Sequence, residues 1–252
     1  MEHIRELLDI KLLGQSFNPS SGHTLSLENA KVIAQLYSKF ENGISVLSDM
    51  KTRKSYIYYG AVADVLGLTR RQNEINSIWE DELLDVIHTD DLQKKYRLEL
   101  LYFQLLNTIA VNDRSDYEII TKLRIQRSEG ITQFLKHRLL YISSSPDNSI
   151  WLALCLYNLI PDYPGFDAPD GLILNTRTGR ILGSEEKFPE ILSSREKEIM
   201  QLIRQGKRSK EIAEKLTLSI NTVNRHRQNI FQKLNVSNAI EACRVVEAIE
   251  LL

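Results

Sequence analysis

Residues 193–234 read SSREKEIMQLIRQGKRSKEIAEKLTLSINTVNRHRQNIFQKL, and this stretch decides how the chain is to be understood. Ser193 precedes Glu196 by three positions, a capping box in which each side chain satisfies a free backbone N–H at a helix start. Ile199, Leu202 and Ile203 follow at helical spacing and give that helix one apolar face. Gly206 ends it, because glycine enters the left-handed conformation without steric cost. Ser209 is the expected cap of a second helix through Leu216, with Ile212, Ala213 and Leu216 turned inward. Thr217-Leu218-Ser219 is the turn, and Ser219 caps a third helix from about Ile220 to Leu234.

The third helix has an unusual outer face. Val223, His226, Ile230 and Leu234 fall on one side, and Asn221, Asn224, Arg225, Gln228 and Gln232 on the other. A solvated helix face is normally rich in Lys and Glu, yet Ser219 to Leu234 contains no acid. Asn or Gln can bind adenine through paired hydrogen bonds, and Arg can bind guanine in the same way. A helix N-terminus can also approach a phosphate. A fourth helix is expected from Ser237 or Asn238 to near the end, with Ile240, Val246 and Ile249 packing, and dimer contacts are expected from this helix near Val245 and from the N-terminal helices. Charge agrees with a polyanion partner: residues 193–252 hold 11 Lys and Arg against 7 Asp and Glu, and residues 1–192 hold 21 against 26.

These residues, with Asn229-Ile230 and Lys233-Leu-Asn-Val236, resemble the LuxR-type helix-turn-helix, a four-helix DNA-binding domain, over about 60 residues. The resemblance implies that Asn224, Arg225 and Gln228 face bases of double-stranded DNA. It implies that Lys210, Thr222 and His226 lie near the DNA backbone or brace the helix. It also implies a homodimer, RNA polymerase as a further partner, and a bacterial transcription regulator. Asn224 stands where the family usually has Lys, and Arg208-Ser209 where it usually has Ser-Asn, so the target sequence cannot be transferred from the family.

The remaining residues carry the candidate sensor. A short amphipathic helix is expected over 1–13, a loop over 15–23, and a helix over 28–40 with Leu27, Val32, Ile33, Leu36 and Phe40 as its apolar candidates. A hairpin is expected from Ile44 to Gly60, then short helices at 61–66 and 79–87, and a long helix opening at His88 and ending near Asn107. Three strands follow, 117–126, 134–143 and 149–158, with turns at Ser128-Glu-Gly130 and Ser145-Pro-Asp-Asn148. This order, with Ser48-Asp49, Ala63-Asp-Val-Leu-Gly-Leu68 and Ile87-His-Thr-Asp-Asp-Leu92, resembles the PAS domain, an antiparallel five-stranded sheet with helices over one face.

The expected fold class is therefore α+β, a PAS-like sheet followed by an all-α helix-turn-helix domain. Residues 1–40 are read as N-terminal helices and linker, 41–160 as the sensor, 161–190 as a small hairpin and linker, and 191–252 as the DNA-binding domain. The sensor's ligand, a small molecule or a partner, is unknown, and so is any cofactor. The flavin-binding Asn-Cys-Arg motif is absent. A haem would need an axial ligand such as His88 or His137, and neither is expected to serve. The tyrosines and Trp79 and Trp151 are read as core.

Several function classes are disfavoured. Cys155 and Cys243 alone imply neither a disulfide framework nor a cysteine-rich metal site. No run of 18 apolar residues suggests a membrane span, and the charged start is unlike a signal peptide, so a cytoplasmic protein is expected. The acidic clusters Glu80-Asp81-Glu82 and Asp90-Asp91 lack a partnered base or metal spacing, are read as solvated faces, and make catalysis unexpected. A receiver domain would need parallel strands, contrary to the order read here. An autoinducer-type receptor remains open as an alternative, as does a PAS-like domain that serves only in protein interaction or dimerisation.

Overall fold

In the computed structural model, the structure describes residues 2–17, 26–125, 133–145, 147–160, 171–182 and 191–249. The turn at 128–130 and the linker at 183–190 fall outside these residues, as does most of the loop at 15–23.

The chain opens with α1 (Glu2–Leu13) and α2 (Leu27–Glu41), the latter capped by Ser26, whose hydroxyl accepts from Asn29 N. β1 (Ile44–Asp49) and β2 (Lys54–Tyr59) form the expected hairpin. Asp49 closes it by accepting from Lys51 N at 3.0 Å, Thr52 N at 3.2 Å and Trp151 Nε1 at 2.9 Å. Then come α3 (Val62–Val65), the two-residue β3 (Glu74–Ile75), α4 (Asp81–Leu84) and the long α5 (Thr89–Leu106), for which His88 is the N-cap. β4 (Tyr117–Arg124), β5 (Phe134–Ser144) and β6 (Ile150–Ile160) complete the expected strands.

The five strands β2-β1-β6-β5-β4 lie side by side and antiparallel, which is the PAS-like arrangement. The sheet is wider than expected, however. The hairpin β7 (Gly171–Asn175) and β8 (Arg180–Leu182) pairs with the edge of β4, and β3 adds to β2, giving eight strands in the order β3-β2-β1-β6-β5-β4-β7-β8. Pairing the hairpin with β4 satisfies backbone groups that a bare edge strand would leave open.

Both faces of the sheet are covered at its centre. One packs against α1 and α3–α5; the other carries α2 over Leu47, Trp151, Leu152, Leu154 and Leu156. Strands β1 and β6 are accordingly buried almost without interruption, whereas β5 alternates along its length. Here the structure corrects the reading of α2. Its buried face is Ala30, Ala34 and Ser38, small residues that let the helix lie close to the sheet. Val32, Ile33, Leu36 and Phe40 are exposed, Phe40 to 79%.

The acidic clusters need correction in part: Asp81, Glu82 and Asp90 are exposed as read, but Glu80 and Asp91 are not. Glu80 is only 4% exposed, and Asp91 is buried where its carboxylate receives Arg124 Nε at 2.9 Å, Nη2 at 2.7 Å and the Arg124 backbone N–H at 2.7 Å. This contact pins the start of α5 to β4. Asp81 pairs with Arg5 at 2.6 Å.

Four helices follow: α6 (Ser194–Arg204), α7 (Ser209–Leu216), α8 (Ile220–Lys233) and α9 (Ala239–Ala248). They dock on the PAS-like domain through polar contacts. Lys11 on α1 donates to the Asn235 carbonyl and, at 2.6 Å, to Glu241 Oε1, and Gln104 on α5 donates to the Leu234 carbonyl at 3.1 Å. Among the described residues, no helix is long and apolar enough to cross a membrane.

Candidate nucleic-acid interface

The platform for α8 is built from local signals. Ser193 and Glu196 form the capping box, with Glu196 Oε2 accepting from Ser193 N at 2.8 Å and Ser193 Oγ at 2.9 Å. The same carboxylate oxygen receives Lys233 Nζ at 2.7 Å, so one buried acid joins the start of α6 to the end of α8. Burial works to raise the Glu196 pKa, but Lys233 and the Ser193 donors outweigh it and hold the carboxyl below its ordinary value.

Gly206 takes φ of +77°, and the N–H groups of Gly206 and Lys207 return to the carbonyls of Ile203 and Leu202 at 2.9 and 3.0 Å, ending α6. Ser209 is the first residue of α7 rather than its cap. The cap position is Arg208, whose backbone N–H donates to Glu211 Oε2 at 2.8 Å. Thr217 takes the left-handed conformation, Leu218 N bonds back to the Ala213 carbonyl at 2.9 Å, and Ser219 caps α8 through Thr222 N at 3.0 Å. These stops leave a tight turn between α7 and α8 and fix the angle at which α8 is presented.

Val223, Ile230 and Leu234 are buried beneath α8 with Ile199, Ile203, Ile212 and Ala213. Opposite them, Asn221, Asn224, Arg225 and Gln228 are exposed at spacings that place them on one face. Among the described residues, none of these four side chains is engaged in a hydrogen bond or ion pair. Lys210, also exposed, lies in the first turn of α7. Thr222 and His226 sit half-buried on the flank of α8, with the Thr222 hydroxyl 2.8 Å from that of Ser219 and His226 Nδ1 buried without a hydrogen-bond partner among the described residues. The expected residues thus divide into an exposed group of four on α8, a cation on α7, and two side chains turned toward the domain.

The last helix needs two corrections. Ile240, read as a packing residue, is 70% exposed, and Val245, read as a dimer contact, is fully buried with Val246 and Ile249. Asn238 caps α9 through Glu241 N at 2.9 Å, and this start sets a helical phase that turns Ile240 outward.

The sequence reading missed a second concentration of polar groups, inside the PAS-like domain. Lys95 and Glu99, one turn apart on α5, are both buried and lie 2.7 Å apart. Glu80 accepts from the buried Tyr157 hydroxyl. His137 is buried on β5, where neither ring nitrogen has a hydrogen-bond partner among the described residues; Nε2 is 4.0 Å from Glu99, and the ring lies 4.8 Å from that of Tyr157. Burial and the Lys95 charge hold His137 well below its ordinary pKa, so the ring is neutral. Among the described residues, no group of three or more His, Cys, Asp or Glu is arranged to hold a metal ion.

Residues 190–246 match the family described as bacterial regulatory proteins, luxR family. The oxygen regulatory protein NreC of Staphylococcus carnosus (strain TM300) is 47% identical over 64 residues, which is 25% of this chain and 30% of that protein. The uncharacterized response regulatory protein YgeK of Escherichia coli (strain K12) is 56% identical over 50 residues, 20% of this chain and 34% of that one. This chain spans about a third of the length of these relatives. Among solved structures, a Vibrio cholera VqmA–ligand–DNA complex covers 90% of both chains, at 15% identity and a TM-score of 0.31. The family match falls on the helices whose capping and turns were derived above, and the C-terminal unit of this chain is a LuxR-family helix-turn-helix domain.

Proposed function

We propose that the protein is a cytoplasmic, non-enzymatic transcription regulator that binds double-stranded DNA as a homodimer under the control of its PAS-like domain. One observation carries the reading: the exposed face of α8 is acid-free and holds Asn221, Asn224, Arg225 and Gln228 with no partners among the described residues. Two such helices, one per protomer, would read half-sites about one helical turn apart. Thr222 and His226 would brace α8 near the phosphates, and RNA polymerase would be the further partner of the DNA-bound dimer. The contacts of Lys11 and Gln104 with residues 234–241 supply a route by which a change in the sensor could reach the DNA-binding domain.

The test is selection of a preferred duplex from a random library by the full chain, followed by titration of that duplex. Recovery of a two-fold symmetric site supports the reading; binding that ignores sequence at all salt concentrations sinks it. Lys210→Ala should weaken binding to every duplex alike and reduce the slope of log affinity against log salt by about one. An unchanged slope removes Lys210 from the phosphate contacts.

For the dimer, the exposed Val32, Leu36 and Phe40 on α2 recur every fourth residue and make an apolar stripe. This stripe supports a dimerisation role for the N-terminal helices beside the sensing role of the PAS-like domain. Leu36→Glu is expected to shift the protein toward monomer in sedimentation velocity. Unchanged sedimentation would assign the dimer contact elsewhere.

A further inference from the structure

A cavity of about 240 Å³ opens beside the sheet between β1, β2, β3 and α4. Its walls are mostly apolar, from Ile44, Ile57, Leu68, Ile75 and Leu83, with Gln72 and Ser77 as neutral polar groups. Its charged lining is one-sided: Glu80, Asp81 and Glu82 contribute to it, and among the described residues no Lys or Arg does. Two of these acids are already engaged, Asp81 with Arg5 at 2.6 Å and Glu82 with the Arg70 backbone N–H at 2.9 Å. Glu80 differs. It is 4% exposed, and the Tyr157 hydroxyl is the one hydrogen-bond donor on its carboxylate among the described residues. A carboxylate can accept about four hydrogen bonds, so acceptor capacity remains.

The charge behind Glu80 points the same way. Glu80 also lines a small adjoining space with Lys95 and Glu99. This buried set contains two carboxylates and one ammonium, and the nearby His137 ring adds no charge. A net negative charge away from water is unfavourable unless a proton or another cation offsets it. Without a ligand, a proton can serve, because burial raises the Glu99 pKa despite Lys95. A ligand that brought its own positive charge to Glu80 would remove the imbalance and shield its apolar body from water in the same pocket.

From this geometry we infer that the cavity binds a small apolar molecule bearing a protonated amine, with the ammonium on Glu80 and the hydrocarbon against Ile57, Leu68, Ile75 and Leu83. The inference gives the sensing role proposed above its ligand class and rests on that role for its regulatory meaning. The binding itself is tested without DNA, so failure here overturns the pocket and leaves DNA binding to its own test.

The experiment is calorimetric titration of the full chain with alkyl and aralkyl primary amines from butylamine to phenethylamine, each beside its matched alcohol and carboxylic acid. At least one amine is expected to bind ten-fold or more tightly than its alcohol, with the acid undetectable. Glu80→Gln keeps an acceptor for Tyr157 and should erase the preference for amine over alcohol while the far-ultraviolet spectrum stays unchanged. Leu68→Trp, which fills the cavity, should remove binding of amine and alcohol together. Equal affinity for amine and alcohol in the unmodified protein, a preference that survives Glu80→Gln, or no binding of any amine in the series overturns the proposal. The first of these comparisons needs no variant, so a misfolded variant does not blunt the test.

Discussion

Lys95→Met is expected to destabilise the N-terminal domain by about 3–5 kcal/mol, the usual cost of removing one partner from a buried ion pair. Lys95 and Glu99 are almost fully buried and lie 2.7 Å apart. Burial alone would depress the Lys95 pKa, but the carboxylates of Glu99 and Glu80 outweigh it and hold the ammonium above its ordinary value. Methionine has nearly the same length and would fill the space, so the loss reflects charge rather than a void. The effect should depend on pH, and its sign follows from Glu99. That carboxyl already titrates above its ordinary value of 4.5 because of burial, and Lys95 is the group that restrains the shift. Without Lys95, folded Glu99 holds its proton still more strongly than the unfolded chain does. The unfolded state therefore releases the proton first as pH rises, and stability falls from about pH 4.5 upward through the folded pKa. Urea unfolding should show a larger penalty at pH 8 than at pH 5, and adding Glu99→Gln to the variant should recover most of the loss. A penalty below about 1 kcal/mol at both pH values would mean that the pair is solvated and contributes little.

The same pair shows where sequence reading stops. A Lys and a Glu four residues apart on a helix are an ordinary surface pair by pattern, and nothing local separates Lys95-Glu99 from the exposed pairs elsewhere in this chain. Their burial is a tertiary fact, set when α5 lies across the inner face of the sheet. Glu80 is hidden for a similar reason: in Glu80-Asp81-Glu82 the first acid is buried and accepts from Tyr157, while its two neighbours are exposed. His137 carried a usable signal. It stands between Lys136 and Arg138 on a strand, and alternation puts a residue so flanked on the opposite, covered face. On α2, helical periodicity found the two faces, but size misled the choice between them, because a helix lying close to a sheet buries Ala30 and Ala34. The C-terminal domain was far more legible. Its capping box, its left-handed stop at Gly206, the turn at Thr217-Leu218-Ser219 and its apolar spacing are local devices that act over three or four residues. Even there, the phase that the Asn238 cap sets for α9 exposes Ile240 and buries Val245.

Arg225→Ala should weaken binding to the preferred duplex by about 1–3 kcal/mol, roughly 5- to 150-fold, and relax the preference at one base pair. The side chain is exposed on α8 and has no partner among the described residues, so its truncation should leave thermal unfolding unchanged. Val223→Ala is the contrasting control. Val223 is fully buried one turn-face away, and its loss should lower stability before it alters any base preference. Arg225→Lys separates the two roles a cation could play. A phosphate contact needs only charge, and lysine would restore it. A guanine contact needs the planar fork of the guanidinium, which lysine lacks. Recovery of affinity with lysine, and equal loss on every single-base variant of the site, would assign Arg225 to the backbone. Continued loss confined to one position would assign it to a base edge. The neighbouring Asn224 and Gln228 then become readers of adjacent positions, since residues at these spacings share one face of the helix. The same single-base variants, titrated against Asn224→Ala and Gln228→Ala, would give each its own position.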